Sequence, residues 1–510
     1  MVVKLKPNSY KQCWAVCALG LPVVLAVIVM AGCAGNGAKS MVAGSGGGGL
    51  KASSASISLE NEGSVQLRIG DDPAAPEGQI VTLRLDITSM RAWNSTSSDA
   101  IDFLVDPISV ELTHSSTVTV PIAQSGANPN TTYDRLDIVY AGVGIAYVDY
   151  PSGTLYNQEL GALPSQTVDL SSSPITLGSD PVIVDVNVNV PSMIVLPPVG
   201  NWSPRGPRSM TARPMATGAT LGGNPLVTAS QSGTQSQSGQ IQYLNGSVTK
   251  VVGNALTIKP TGNSSFTFQT SSSTDFEDVT LGTALNAIVE VNGLTQADGS
   301  LFADEVELVD IANGTEMLGM VSSVAPDVQL SLVVQDGIGS GMSTALVGKT
   351  VNSQMDQASF TVSTGKIDMT GVTAVFDGEH IFPGQQVELE SFQNLQADPE
   401  GSAGLTLPYM VELEQQTISG TARNYVAGGV AGTGTFNVFL PTDGTSPLMT
   451  LNPGLVSVHV YQQTTTFPAI SSIRDGRAVQ VRGLLLCQND NVGQPCTNFV
   501  MVAAKITLND

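Results

Sequence analysis

The chain has 510 residues, 43 of them acidic against 21 basic, for a formal net charge of −22. So acidic a surface repels phosphate backbones and gains nothing from counterion release, which argues against nucleic acid as a partner. With 42% hydrophobic and only 13% charged residues there is ample material for packed cores, and the length suits three or four domains. Gly, Ser, Thr and Val dominate, while stretches rich in Glu, Lys and Leu are nearly absent. That is the composition of short twisted strands joined by polar turns, so the expected fold class is all-β.

The first residues carry Lys4, Lys6 and Lys11 and no acid, and the run from Cys13 to Met30 is almost wholly apolar. A basic flank, an apolar core and small residues at its end make an export signal. The run is near the lower limit of about 18 residues for spanning a membrane, so a transmembrane helix is the competing reading. Ala31-Gly32-Cys33 and the glycine-rich stretch after it favour cleavage instead. The segment Met30-Ala-Gly-Cys33 resembles the bacterial lipoprotein signal, although Met30 stands where leucine is usual. That resemblance implies residues 1–33 as signal peptide, cleavage before Cys33, a thioether-linked diacylglycerol on Cys33 and an acylated amine (palmitate class). Several acyl chains give firm anchoring. Ala34, not Asp, follows the cysteine, which by the enterobacterial sorting rule implies the outer membrane. The membrane is thus one expected partner.

Residues 34–55 are Gly, Ala and Ser with few large apolar groups, and form a flexible tether. From Ser56, short segments alternate with period two: Ser64–Ile69, Val81–Ile87, Val118–Val120, Leu136–Tyr140 and Val182–Val190. Such alternation between turn residues predicts a half-buried antiparallel β-sandwich over 56–197. Gly63-Ser-Val-Gln-Leu67, Asp71-Asp-Pro73, the strand ending in Thr88-Ser-Met90 and Tyr133-Asp-Arg-Leu136 resemble domain of unknown function 4382. The resemblance implies a β-sandwich behind a lipid anchor, and no ligand or activity.

Residues 198–239 pass from a proline-rich to a Gly/Ser/Gln/Thr-rich stretch and read as a linker, with Arg205, Arg208 and Arg213 its only basic patch. From 240 onward one unit recurs three times, over 240–312, 313–416 and 417–510. Each opens on a glycine (Gly246-Ser-Val, Gly319-Met-Val, Gly420-Thr-Ala) and has a middle strand ending on phenylalanine (Phe276, Phe376, Phe467). A further strand follows (Ile288–Gly293, Gly384–Leu389, Gly476–Gly483), and then a closing ribbon (Ala303–Leu308, Met410–Leu413, Ala504–Leu508). The openings are unequally spaced, which predicts insertions in the second unit near 337–350 and 396–404. It also predicts three β-barrels strung as beads rather than a tight solenoid. The same marks, sharpest in the first unit, resemble domain of unknown function 5666, which implies tandem small barrels of exported proteins. Five or six short strands per unit suit an OB-like barrel.

Once Cys13 and Cys17 go with the leader and Cys33 takes lipid, Cys487 and Cys496 remain. An even pair in an oxidising compartment, flanking a turn-rich loop between two apolar strands, predicts a disulfide across the mouth of a hairpin.

Chemistry is harder to find. His114, His380 and His459 fall in separate units, so neither a metal pair nor a His-centred triad is visible. Gly348-Lys-Thr350 lacks the earlier glycine of a phosphate loop, where Ser343 stands. The glycines of 337–341 and 428–434 read as hairpin turns. Asp71 and Asp72, with Asp134 and Asp137, are weak calcium candidates, because hard cations want several oxygens; turn chemistry, with Asp before Pro starting a loop, is the preferred reading. Trp93 and Trp202 are the only tryptophans of the mature chain, few for a sugar platform. No catalytic constellation and no cofactor motif emerges. The expectation is a non-enzymatic, lipid-anchored envelope protein that binds or presents a polysaccharide or an envelope protein. A carbohydrate-active enzyme using paired carboxylates and a purely structural spacer are the alternatives.

Overall fold

A computed structural model describes most of the chain between Ser64 and Asn509. Residues 1–63 lie outside the described residues, as do several internal stretches, the longest of them 72–79, 196–210, 213–219, 232–239, 392–402, 441–455 and 489–495. Cys33, Asp72 and His114 are among the residues outside. Among the described residues regular structure is almost wholly strand, with a short 3-10 turn at Ile470–Ser472, so the protein is all-β.

The first domain contains β1 (Ser64–Asp71), β2 (Ile80–Trp93), β3 (Ala100–Asp102), β4 (Ile108–Glu111), β5 (Val120–Gly126), β6 (Thr132–Tyr133), β7 (Arg135–Asp149), β8 (Thr154–Leu160), β9 (Gln166–Asp169), β10 (Ile175–Thr176) and β11 (Val182–Val188). Beyond it, β12 (Ile194–Val195) pairs with β13 (Thr211–Ala212), and β14 (Thr220–Leu221) with β15 (Asn224–Pro225); β16 (Val227–Gln231) follows. One sheet has the order β16-β11-β1-β5 and a second runs β3-β2-β7-β8, with β4 also on β2 and β9 on β7. Period-two alternation sends Leu67 and Val184 of one sheet and Leu85 and Ile138 of the other into a single apolar cluster.

Two expectations for this region change. β1 and β11 run parallel, Val65 opposite Val182, so the sheets are not purely antiparallel. Strands so far apart in the chain need no hairpin, and nothing forces them to run in opposite directions. The stretch at 227–231, linker by composition, is the strand that pairs antiparallel with β11. Its alternating Val227, Ala229 and Gln231 offer a ladder that the surrounding glycines and serines conceal.

The first barrel comprises β17 (Gln240–Val252), β18 (Ala255–Lys259), β19 (Phe266–Gln269), β20 (Asp275–Glu277), β21 (Ile288–Thr295) and β22 (Leu301–Leu308). β17 pairs with β18 and β21, β18 with β19, and β22 with both β21 and β19, so five strands return to their start. The second comprises β23 (Thr315–Ala325), β24 (Gln329–Gly339), β25 (Thr350–Gln354), β26 (Ser359–Val362), β27 (Gln386–Ser391), β28 (Ala403–Thr406) and β29 (Pro408–Leu413). Here β28 lies parallel to β25 while β29 pairs with β27. The third, β30 (Gln415–Ala427), β31 (Gly434–Phe439), β32 (Val456–Phe467), β33 (Ala478–Cys487) and β34 (Phe499–Asn509), is a closed barrel. Closure removes the exposed edges that would otherwise invite aggregation.

The opening glycines have a common cause. A Cβ on Gly246, Gly319 or Gly420 would come under 3.0 Å from backbone atoms of the second strand of its barrel, at Lys259–Pro260, Val333 and Phe439 respectively. Each glycine therefore marks the close approach of two strands where the sheet bends shut. The phenylalanine mark fails in the second unit. There β26, with Phe360, lies parallel to β29 as β20 lies parallel to β22, whereas Phe376 follows an isolated bridge at Val375. The two rings meet edge to face, 5.7 Å apart, so Phe376 packs on the strand it was expected to form.

The units are not beads on a string. Leu484, Leu486 and Val502 of the third barrel belong to the apolar cluster of the second. Val333 of the second packs with Val81, Ala146 and Val148 of the first domain, and Gln335 donates its Nε2–H to the Val81 carbonyl at 3.0 Å. Gln385 of the second barrel donates to the Leu485 carbonyl at 2.8 Å. Leaving the apolar groups of these outer faces in water would forgo burial energy, and the Gln335 and Gln385 amide N–H groups enter the contacts hydrogen-bonded, which offsets their desolvation.

Candidate functional site: a carboxylate seam between two barrels

Four strand segments of the first two barrels read apolar-acid-apolar: Val289-Glu290-Val291, Val306-Glu307-Leu308, Val387-Glu388-Leu389 and Val411-Glu412-Leu413. Period two places Val289, Val291 and Val306 in the first core and Val387, Leu389, Val411 and Leu413 in the second. The intervening glutamates must then line the outer faces. In register, Glu290 lies opposite Glu307, Glu316 opposite Glu390, and Glu388 opposite Glu412. Each is a like-charge cross-strand pair, an arrangement that destabilises a sheet in water.

The two outer faces meet. Glu290 of β21, Glu316 of β23 and Glu388 of β27 each bring a carboxylate oxygen to within 4.8 Å of the others. Glu290 is buried, while Glu316 and Glu388 are partly so. Burial first, then the charges of Glu316, Glu307 and Glu414, pushes Glu290 well above the ordinary carboxylate range. Burial also raises Glu388 far, followed by the charges of Glu316 and Glu290 and by a hydrogen bond with Glu316. Glu305, next along the seam, is pushed up to about 7, chiefly by burial, against a 3.1 Å hydrogen bond from Asn292 Nδ2.

The seam ends where all three barrels meet. Tyr243 of β17 donates its hydroxyl to Glu414 Oε2 at 2.7 Å, and Glu414 is the single residue between β29 and β30. Burial, then Glu412, raises Glu414, while Tyr243 and Arg482 act the other way. Arg482 of β33 is fully buried beside Tyr243 and Glu414, and Lys505 of β34, opposite it, is lowered to about 8 by burial and then by Arg482. In chemical terms the seam is an oxygen-rich patch whose carboxyls are shifted toward their protonated form. Glu290, Glu316 and Glu388 are also the groups that would hold a hard cation.

The residues singled out from sequence lie elsewhere. Asp71 ends β1 opposite Val188. Asp134 and Asp137 serve as structural acceptors: Asp134 takes the Ser95 amide at 2.9 Å, and Asp137 takes Trp93 Nε1–H at 2.7 Å and the Thr167 hydroxyl at 2.6 Å. Trp93 packs under the Arg135 guanidinium, 4.9 Å from its ring centroid. His380 bonds Asp377 at 2.6 Å in the second barrel, whereas His459 lies on β32 of the third. Cys487 and Cys496 are joined in a disulfide, Cα atoms 5.8 Å apart. Residues 428–433 form the turn between β30 and β31, and Gly434 opens β31.

A family model described as Domain of unknown function (DUF5666) matches residues 245–307, which is the first barrel from within β17 to the end of the Glu305–Glu307 ribbon. No curated protein matches the chain.

Proposed function

We propose that the protein is a lipid-anchored component of the bacterial cell envelope, held through Cys33 at the outer membrane, whose β-domains form a non-enzymatic binding or presentation module. The packing of the first domain on the second barrel, and of the second on the third, carries this reading. Units that share apolar contacts with their neighbours suit holding a surface in place. The leader and the Ala31-Gly32-Cys33 ending support the anchor. The likeness of residues 56–197 to domain of unknown function 4382 supports the same setting. The strand order shared by the three units, with the third strand parallel to the fifth, supports the OB-like reading of each barrel. The ligand proposed is an envelope polysaccharide or an envelope protein, and the acidic surface speaks against nucleic acid.

One observation favours a carbohydrate-active enzyme: clustered carboxyls with raised pKa values, as acid catalysis requires. Against it, Glu290 and Glu414 are themselves buried. The test is binding of the mature chain lacking Cys33 to arrays of envelope polysaccharides and to envelope proteins by crosslinking on intact cells, with and without calcium. Saturable binding without turnover is expected. Turnover of an envelope substrate, abolished by one point substitution, would refute the non-enzymatic reading.

A further inference from the structure

Between Arg423 and Asp443 the sequence holds no charged residue, and within that span Tyr425-Val-Ala-Gly-Gly-Val-Ala-Gly432 turns β30 into β31. β33 accompanies β30 only as far as Thr421, opposite Ala478, so residues 423–427 pair with β31 alone. Val426 and Val430 are 62% and 54% exposed, and Phe439 of β31 is 40% exposed. Three of the eight large apolar residues exposed among the described residues thus sit on this one hairpin. Scattered exposed valines need no explanation, but several together on an uncharged turn make a surface that water solvates poorly.

Arginines stand at the base of the hairpin. Arg423 is exposed and lies over the Phe439 ring, 4.7 Å from its centroid. The turn of residues 474–477 is tied to the same base. Gly476 N–H donates to the Ala422 carbonyl at 3.0 Å, and Ala422 N–H to the Arg477 carbonyl at 2.8 Å. That turn brings the exposed Arg474 and the half-buried Arg477; Asp475, between them, accepts the Asn424 N–H at 2.7 Å. Charge is distributed along the chain to match. Residues 417–510 hold five basic residues against four acidic, whereas residues 240–312 hold two against nine. The third barrel is thus nearly neutral within a strongly acidic chain, and an anionic surface does not repel it as it does the first.

We propose that this hairpin is a membrane-contact element: its uncharged tip enters the interfacial region of a lipid bilayer while Arg423, Arg474 and Arg477 meet anionic phospholipid headgroups.

The layering is what such an interface demands. Apolar groups at the tip gain burial at the acyl boundary, and guanidinium groups a few residues back sit at the depth of the phosphates. Arg423 can rest its stem on apolar surface and keep its charge among headgroups, as long cationic side chains do. Gly428 N–H donates to the Thr433 carbonyl at 2.9 Å and Thr433 N–H to the Val430 carbonyl at 3.1 Å, so insertion leaves these donors satisfied. An acidic protein would also meet the arginines, but two valines on a glycine-rich turn offer it no shaped surface, and a bilayer needs none. The contact is separate from the Cys33 anchor, which would only raise the local concentration of lipid.

The test is flotation of the mature chain from Ala34, without acyl groups, on phosphatidylcholine vesicles with and without phosphatidylglycerol. Because no lipid is attached, failure here leaves the anchor untouched, and Cys33→Ser decides that separately. Binding to the anionic vesicles is expected, weakening as salt rises. Arg423→Ala with Arg474→Ala should weaken it roughly 30-fold, at about fivefold for each arginine near the surface. Val426→Ser with Val430→Ser should weaken it roughly 100-fold, at about tenfold for each valine withdrawn from lipid. All four side chains are exposed, so the β-sheet circular dichroism should not change in either variant. An environment-sensitive dye on Val430→Cys, the two remaining cysteines being disulfide-bonded, should shift to the blue on anionic vesicles. The same dye on Lys250→Cys, at an exposed position of the first barrel, should not. Absence of flotation on anionic vesicles would overturn the proposal, as would equal dye shifts at the two positions. Flotation unchanged in both variants would overturn it by moving the contact to another basic stretch, such as Arg205, Arg208 and Arg213. Binding to polyglutamate without binding to vesicles would overturn it in favour of an acidic protein partner.

Discussion

Leu484 and Leu485 are adjacent on β33, both fully buried, yet they belong to different cores: Leu485 to the third barrel's own cluster and Leu484 to that of the second. Alternation along the strand is the cause, since Val479, Val481, Leu485 and Cys487 point inward while Leu484 and Leu486 face the neighbour. Leu484→Ala removes three carbons. At about 0.8 kcal/mol per buried methylene, with a modest cavity term added, the loss is about 3 kcal/mol, inside the range of about 2–5 kcal/mol seen for such truncations. Because about 1.4 kcal/mol is a factor of ten in an equilibrium constant, local opening of the second barrel should rise on the order of 100-fold. Hydrogen exchange read strand by strand measures this directly. Amides of β24 and β27, far before the substitution in the chain, should lose about two decades of protection. Leu485→Ala should instead act first on β31 and β32. Unchanged protection of β24 and β27 in Leu484→Ala would refute the joint core, and with it the account of why the units pack together.

Three further outcomes follow. Cys487 and Cys496 should resist thiol labelling until reduced, and replacing both by serine should cost on the order of 2–3 kcal/mol for so short a closed loop, read as a lower denaturation midpoint. Gly420→Ala should destabilise the third barrel by about 1–3 kcal/mol, because the added methyl meets the Phe439 carbonyl and Val438; denaturant titration checks it, and a neutral effect would remove close approach as the reason for the glycine. Cys33→Ser should leave an uncleaved precursor without lipid, seen as a mass shift and a loss of membrane fractionation, and normal processing of that variant would end the lipoprotein proposal.

Much of the fold is legible along the chain. Alternation of valine with polar residues marks strands such as Val182–Val188, and the recurring glycines at 246, 319 and 420 mark where each barrel bends. The spacing of Cys487 and Cys496 about a turn-rich loop announces their bond. These are local signals, set by the two-residue period of a strand, by the steric demand of a close backbone approach and by turn chemistry, and a sequence carries them whole.

The tertiary structure alone decided what the polar faces do. Val-Glu-Val and Val-Glu-Leu read as strands with one wet side, and nothing in their period distinguishes a glutamate facing water from one facing another glutamate. Only the packing of two barrels brings Glu290, Glu316 and Glu388 together, and only the third barrel delivers Arg482 to Tyr243 and Glu414. The strand at 227–231 and the parallel pairing of β1 with β11 were hidden for the same reason: both are long-range pairings whose partners the chain places far away. A sequence fixes the period of a face, whereas the partner of that face is set by which surfaces lose most free energy by staying in water.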